Sequence, residues 1–109
     1  MVGVKSLLEL VERTKKVSSG FPNKYDKRSR LIDLVEEVGE LAQAVHIVEG
    51  FKKTNDPAKT KTKVDVADAI CDILYELVLL ADDYSIDLEM EYVEMLGRLE
   101  KRIKEGEFH

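Results

Sequence analysis

Apolar positions recur along this chain with the spacing of helices. Leu7, Leu8, Leu10 and Val11 form one stripe in a segment running from about Val4 to Lys16. "SSGFPNKY" then interrupts the pattern with Gly20 and Pro22. A second segment runs from Ser29 to Glu49, with Ser29 as the expected N-cap and Gly50 as the C-terminal stop. Its residues Leu31, Ile32, Leu34, Val35, Val38, Leu41 and Val45 are the expected inward set. Gly39 inside it weakens the helix by roughly 1 kcal/mol relative to alanine, which is expected to serve close approach of a neighbouring helix or a ligand.

The stretch 51–63, "FKKTNDPAKTKTK", is polar and basic. Asp56-Pro57 within it reads as a cap followed by a first-turn proline, an alternative early start for the third helix. A third helix is expected from Lys63 to Tyr84, with Ile70, Ile73, Leu74, Leu77, Val78, Leu80 and Ala81 as a wide apolar face. "DYSID" at 83–87 breaks it, offering Ser85 or Asp87 as the next N-cap. The fourth helix spans 88–105 and stops at Gly106. Four helices with short to medium connections predict an all-α, four-helix bundle-like fold, in one domain spanning 1–109.

Composition narrows the functions. The 109 residues include two prolines, six glycines and 6% aromatics, too few turn formers for a sandwich or barrel. A net charge of −5 gives no overall basic field for a nucleic-acid duplex. Cys71 is the only cysteine, which excludes an intrachain disulfide and a cysteine-rich zinc site and fits the reducing cytoplasm. Met1 is followed by a charged amphipathic segment, not by a signal-type apolar run. The most apolar stretch, 73–81, is interrupted by Glu76 and is too short to span a membrane.

The carboxylates change the picture. In "LIDLVEEVGELAQAV", Asp33, Glu37 and Glu40 share one helix face, with Glu36 beside them. In "VDVADAICDILYEL", Asp65, Asp68 and Asp72 share a face and Glu76 continues the line. Like charges one turn apart repel by a few tenths of a kcal/mol when exposed, and by more when buried. A solvated face is the plain reading of any one acidic stripe. Here neither stripe is interleaved with Lys or Arg, and both lie on the two most apolar helices. Facing one another, they make a carboxylate cluster that calls for cations.

Oxygen-only donors select hard ions, so Mg²⁺, or Mn²⁺ in its place, fits better than zinc. A di-iron bundle needs Glu-x-x-His pairs, and neither His46 nor His109 lies three residues after a glutamate. Carboxylate-held Mg²⁺ commonly binds phosphate and activates a water for attack on phosphorus, with a nearby carboxylate as base. Lys52, Lys53, Arg98, Lys101, Arg102 and Lys104 are available for outer phosphates, although lysines near a helix end also serve solubility and the helix dipole.

"LVEEVGELAQAV" followed by "DAICDILYELVLLADDYSIDL" resembles the MazG-type all-α nucleoside-triphosphate pyrophosphohydrolases, over roughly residues 27–103. Relatives of that family include dimeric dUTPases, dCTP pyrophosphatases and phosphoribosyl-ATP pyrophosphohydrolases. Its pattern is E-x-x-E on one helix and E-x-x-D on the next. Glu37-Val38-Gly39-Glu40 carries the first half, and Asp72 matches the aspartate of the second. Ala69 stands where the family has glutamate, with Asp68 one position earlier. Asp65-x-x-Asp68 is the alternative pair in a shifted register.

The resemblance implies hydrolysis of a (d)NTP between the α and β phosphates, to a monophosphate and pyrophosphate. It implies Mg²⁺ on Glu37, Glu40, Asp68 and Asp72. Glu36 and Glu37 are then the catalytic carboxylates, Glu36 as a ligand or water-orienting base. Lys53, Arg98, Lys101 and Arg102 are the candidate phosphate ligands, without the asparagine the family often carries on its last helix. Phe21, Tyr25, His46 and Phe51 are the candidate base pocket. The family assembles as dimers or tetramers, and Met90, Tyr92, Met95 and Leu96 are candidates for an interface. Two rivals stand beside this reading: a phosphoribosyl-ATP-like substrate, and a helical dimer that binds a nucleotide or partner without turnover, which Ala69 favours.

Overall fold

The computed structural model of the chain describes residues 6–22, 26–51, 53 and 55–106. Among them the structure is all-helical, without strands, in accord with the expected all-α bundle-like class. The helices are α1 (Leu7–Ser19), α2 (Lys27–Val48), α3 (Lys63–Asp83) and α4 (Leu88–Lys104), with one 3₁₀ turn at Pro57–Lys59. Among the described residues, no helix is long and apolar enough to cross a membrane.

Capping chemistry fixes the helix ends. Ser6 caps α1, its hydroxyl accepting from the Glu9 amide at 3.1 Å. The helix therefore starts later than the apolar stripe predicts and runs on to Ser19; Val4 lies outside the described residues. The cap of α2 is Asp26, not Ser29. Asp26 Oδ1 accepts from the Ser29 amide at 2.7 Å, so Ser29 sits inside the first turn. Gly50 adopts a left-handed φ of 78° just past α2, the conformation that ends a helix at least cost. Asp56 does cap at Pro57, but only a 3₁₀ turn results. Asp87 caps α4 by accepting from the Met90 amide at 3.0 Å, while Ser85 holds the left-handed turn before it at φ 55°.

The chain divides into two compact units. One contains α1, α4 and the chain from Ala81 onward. There the Leu8 amide, one of the donors left over at the start of α1, donates to Glu89 Oε2 at 2.7 Å. Lys15 Nζ lies 3.4 Å from Asp82 Oδ1. The partners of α1 thus run in the opposite direction.

The other unit contains α2 and α3 as far as Leu80. Its inward residues do not follow the apolar pattern. On α2 the least exposed positions are Arg30, Asp33, Leu34, Glu37, Leu41, Ala44, Val45 and Ile47, while Leu31, Ile32, Val35 and Val38 are exposed. On α3, Ala69, Glu76, Val78 and Leu79 are buried, and Ile70, Leu74 and Leu77 are exposed. The expectation that the apolar residues of both helices all point inward is therefore corrected. Part of each apolar face is turned outward, and charged side chains share the seam. At Gly39 the expected close approach of a neighbouring helix is corrected: a Cβ built there meets nothing within 4 Å among the described residues.

Candidate active site

Polar and charged groups meet where α2 faces α3. Arg30 and Glu76 are buried at 8% and 9% exposure. Arg30 Nη1 donates to Glu76 Oε2 at 3.4 Å. Seven residues further along α2, Glu37 feels the charge of Asp72, which lies four residues back along α3 from Glu76. The two helices therefore run antiparallel, with the carboxylates in one seam and the ion pair at its end.

Glu37 is the centre of this seam. Burial pushes its carboxyl above the ordinary carboxylate value. The charges of Glu40, Asp72 and Asp33 and a hydrogen bond with Glu40 act in the same direction. Its Oε2 is buried and has no hydrogen-bond partner. An orphaned carboxylate oxygen is expensive unless something positive comes to it. Glu76 is likewise pushed upward, first by burial and then by Asp33 and Asp72, with Arg30 opposing.

Of the residues assigned to metal, Glu40 and Asp72, together with Asp33, each act electrostatically on Glu37. Asp68 and Glu36 are exposed on the same two helices. Asp65 is engaged elsewhere: its Oδ2 accepts from the Thr62 amide at 2.7 Å and from the Thr62 hydroxyl at 3.2 Å. These bonds hold its carboxyl below the ordinary value and make it a cap for the start of α3. Among the described residues, no three acidic, His or Cys side chains are already gathered as a cation cage. The donor chemistry nonetheless fits a hard divalent ion. Every donor is a carboxylate oxygen, the charges repel, and one buried oxygen has no partner.

The other assigned residues are spread along the chain. Lys53 is exposed in the polar stretch, and Arg98, Lys101 and Arg102 are exposed on α4. Lys101 Nζ reaches Glu105 Oε1 at 3.9 Å. Of the base-pocket residues, Tyr25 lies outside the described residues, as do Lys52 and His109. Phe21 is exposed just after α1. His46 and Phe51 do come together, edge to face, with centroids 5.9 Å apart. His46 Nδ1 donates to the Ala42 carbonyl at 2.6 Å, which leaves Nε2 of the neutral ring as an acceptor.

Arg30 is the residue that pattern reading missed. A signal was available: Glu76 is the one charge inside the stretch 73–81, and a buried charge needs a partner.

A model of the phosphoribosyl-ATP pyrophosphohydrolase family matches residues 4–98, which include the whole acidic seam. The chain belongs to this family. Phosphoribosyl-ATP pyrophosphohydrolases form part of the MazG-like all-α nucleotide pyrophosphohydrolase superfamily. The match indicates a pyrophosphohydrolase enzyme. Comparison with curated proteins and with solved structures gives no match.

Proposed function

We propose that this enzyme is a Mg²⁺-dependent nucleotide pyrophosphohydrolase that cleaves a nucleoside triphosphate between its α and β phosphates. The observation that carries the reading is Glu37: a carboxylate with a buried, unpartnered oxygen, crowded by Asp33, Glu40 and Asp72. Glu37, Glu40, Asp68 and Asp72 hold the metal, with Mn²⁺ as a substitute. When bound, the ion offsets phosphoryl charge and acidifies a water.

The chain's own residues do the rest. Glu36, exposed beside Glu37, orients that water and takes its proton as the oxygen bonds to phosphorus. The bridging P–O bond breaks, and a nucleoside monophosphate and pyrophosphate leave. Lys53 is the candidate within the unit of α2 and α3 to hold outer phosphate oxygens; the candidates Arg98, Lys101 and Arg102 belong to α4, in the other unit. His46 and Phe51 offer an aromatic edge to the base. On this reading the enzyme is in the cytoplasm, where the thiol of Cys71 stays reduced.

A second substrate reading is favoured by the family match: phosphoribosyl-ATP, in which the same α–β bond is broken. Both substrates belong in one assay. Phosphate release is followed from a panel of NTPs, dNTPs and phosphoribosyl-ATP, with Mg²⁺ or Mn²⁺, with and without inorganic pyrophosphatase. Phosphate that appears only with the helper enzyme identifies α–β cleavage, and the panel identifies the base. No turnover of any NTP or dNTP, with turnover of phosphoribosyl-ATP, assigns the second substrate. No turnover at all refutes the reading.

A further inference from the structure

The Arg30–Glu76 ion pair has no place in the chemistry above, yet it is the most buried charged contact described in this unit. Both side chains are about nine-tenths covered, at 10% and 11% exposure. Burying an ion pair adds little over apolar residues of the same size, whereas removing one partner is strongly destabilising. The best-attested use of such a pair is to specify one register between packed elements.

Register is what the acidic seam needs. Measured from Arg30, α2 carries Asp33, Glu37 and Glu40 in the next three turns. Measured back from Glu76, α3 carries Asp72 and Asp68 in the preceding two turns. A rise of about 1.5 Å per residue puts Glu37 about 10 Å along α2 from Arg30, and Asp72 about 6 Å along α3 from Glu76. A slip of one residue between the helices would move Glu37 relative to Asp72 by the same 1.5 Å or so. Left alone, the carboxylates repel and favour separation.

We propose that Arg30 and Glu76 are positioning residues that lock the α2–α3 register and so hold Glu37 and Asp72 at the separation a divalent cation requires. The inference rests on the metal-dependent reading above, and its test separates the two. The variants are Arg30→Met, Glu76→Gln and the double variant Arg30→Met/Glu76→Leu. Register is read as the distance distribution between spin labels on native Cys71, exposed on α3, and on Arg28→Cys, exposed on α2. Cation binding is read separately on unlabelled protein by Mn²⁺ titration, and turnover by pyrophosphate release.

The double variant removes both members of the pair, so neither is left buried and charged opposite a gap, and it is expected to fold and to melt near the wild-type temperature. Its inter-label distribution should nevertheless shift or broaden, its Mn²⁺ affinity should fall at least ~10-fold, and its kcat should fall with it. A double variant with unchanged distances, Mn²⁺ affinity and kcat overturns the proposal. If the double variant does not fold, Glu76→Gln is judged by the same three readouts. Wild-type protein that neither binds Mn²⁺ nor releases pyrophosphate refutes the functional reading instead. The inter-label distances then still decide whether the pair sets the register.

Discussion

Glu37 on α2 lies within electrostatic reach of Asp72 on α3; burial first, and then the charges of Glu40 and Asp72, hold the Glu37 proton to higher pH than usual. Because its folded-state pKa is raised, its contribution to stability is fully present below the ordinary value of 4.5 and is lost as pH rises through the folded value. Without divalent cations, the protein should therefore lose stability with rising pH above about 4.5. Glu37→Gln removes the ionisable group, so the variant should melt higher than wild type at pH 7.5 and the gap should close towards pH 4. Melting curves at a series of pH values in EDTA check this. A Glu37→Gln variant that melts lower at pH 7.5 contradicts the strained carboxylate.

The same strain predicts a response to metal. A ligand that binds the folded state tenfold above its Kd adds about 1.4 kcal/mol to stability, by mass action. Mg²⁺ or Mn²⁺ should raise the melting temperature of the wild type, and Ca²⁺ or Na⁺ at equal ionic strength should raise it less. Glu40→Ala and Asp72→Asn should melt at or above wild type in EDTA, should lose the divalent-ion shift, and should lose ~100-fold or more of turnover. A simple solvated face would show none of these effects.

Much of the helix pattern was legible in the sequence because periodicity and caps act locally. The stops at Gly50 and Gly106 and the cap at Asp87 needed only the residues around them. Ser29 misled because two cap-type side chains lie three residues apart, and Asp26 accepts from the Ser29 amide itself. The inward face of α2 was not legible, because it depends on which of two overlapping stripes meets α3. Leu31, Val35 and Val38 form as good a helical stripe as Leu34, Leu41 and Val45. The carboxylates were legible as a group, but that Asp65 caps α3 while Glu37 lies in the seam depends on the fold. Arg30 carried no periodic signal, since its partner is 46 positions away.

The outward apolar residues bear on assembly. Leu31, Val35 and Val38 line one stripe of α2, and Ile70, Leu74 and Leu77 line one of α3; all six are exposed, Val35 at 65%. Among the described residues, no large side chain is fully buried. Exposed apolar stripes of this kind fit a surface for another chain, and a second copy would supply the same surface in return. Met90, Tyr92, Met95 and Leu96 of α4 are exposed as well. Sedimentation equilibrium should give at least twice the chain mass of 12.4 kDa, and Val35→Lys should shift the population towards monomer. A wild type that stays monomeric at micromolar concentration rules this assembly out.

Phe51 offers the sharpest test of base recognition. It touches the edge of His46, yet it is 76% exposed, which is too open for a core anchor. Stacking a base on an aromatic ring contributes about 1–3 kcal/mol, and such binding is felt equally by bound substrate and transition state. Phe51→Ala should therefore raise KM by about 5- to 150-fold, with kcat nearly unchanged. Its melting temperature should stay near wild type. Phe51→Tyr, which keeps the ring face, should restore KM. Steady-state kinetics on the preferred substrate decide the matter. A fall in kcat at constant KM would place Phe51 in the organisation of the carboxylate seam, and an unchanged KM would remove it from the base pocket.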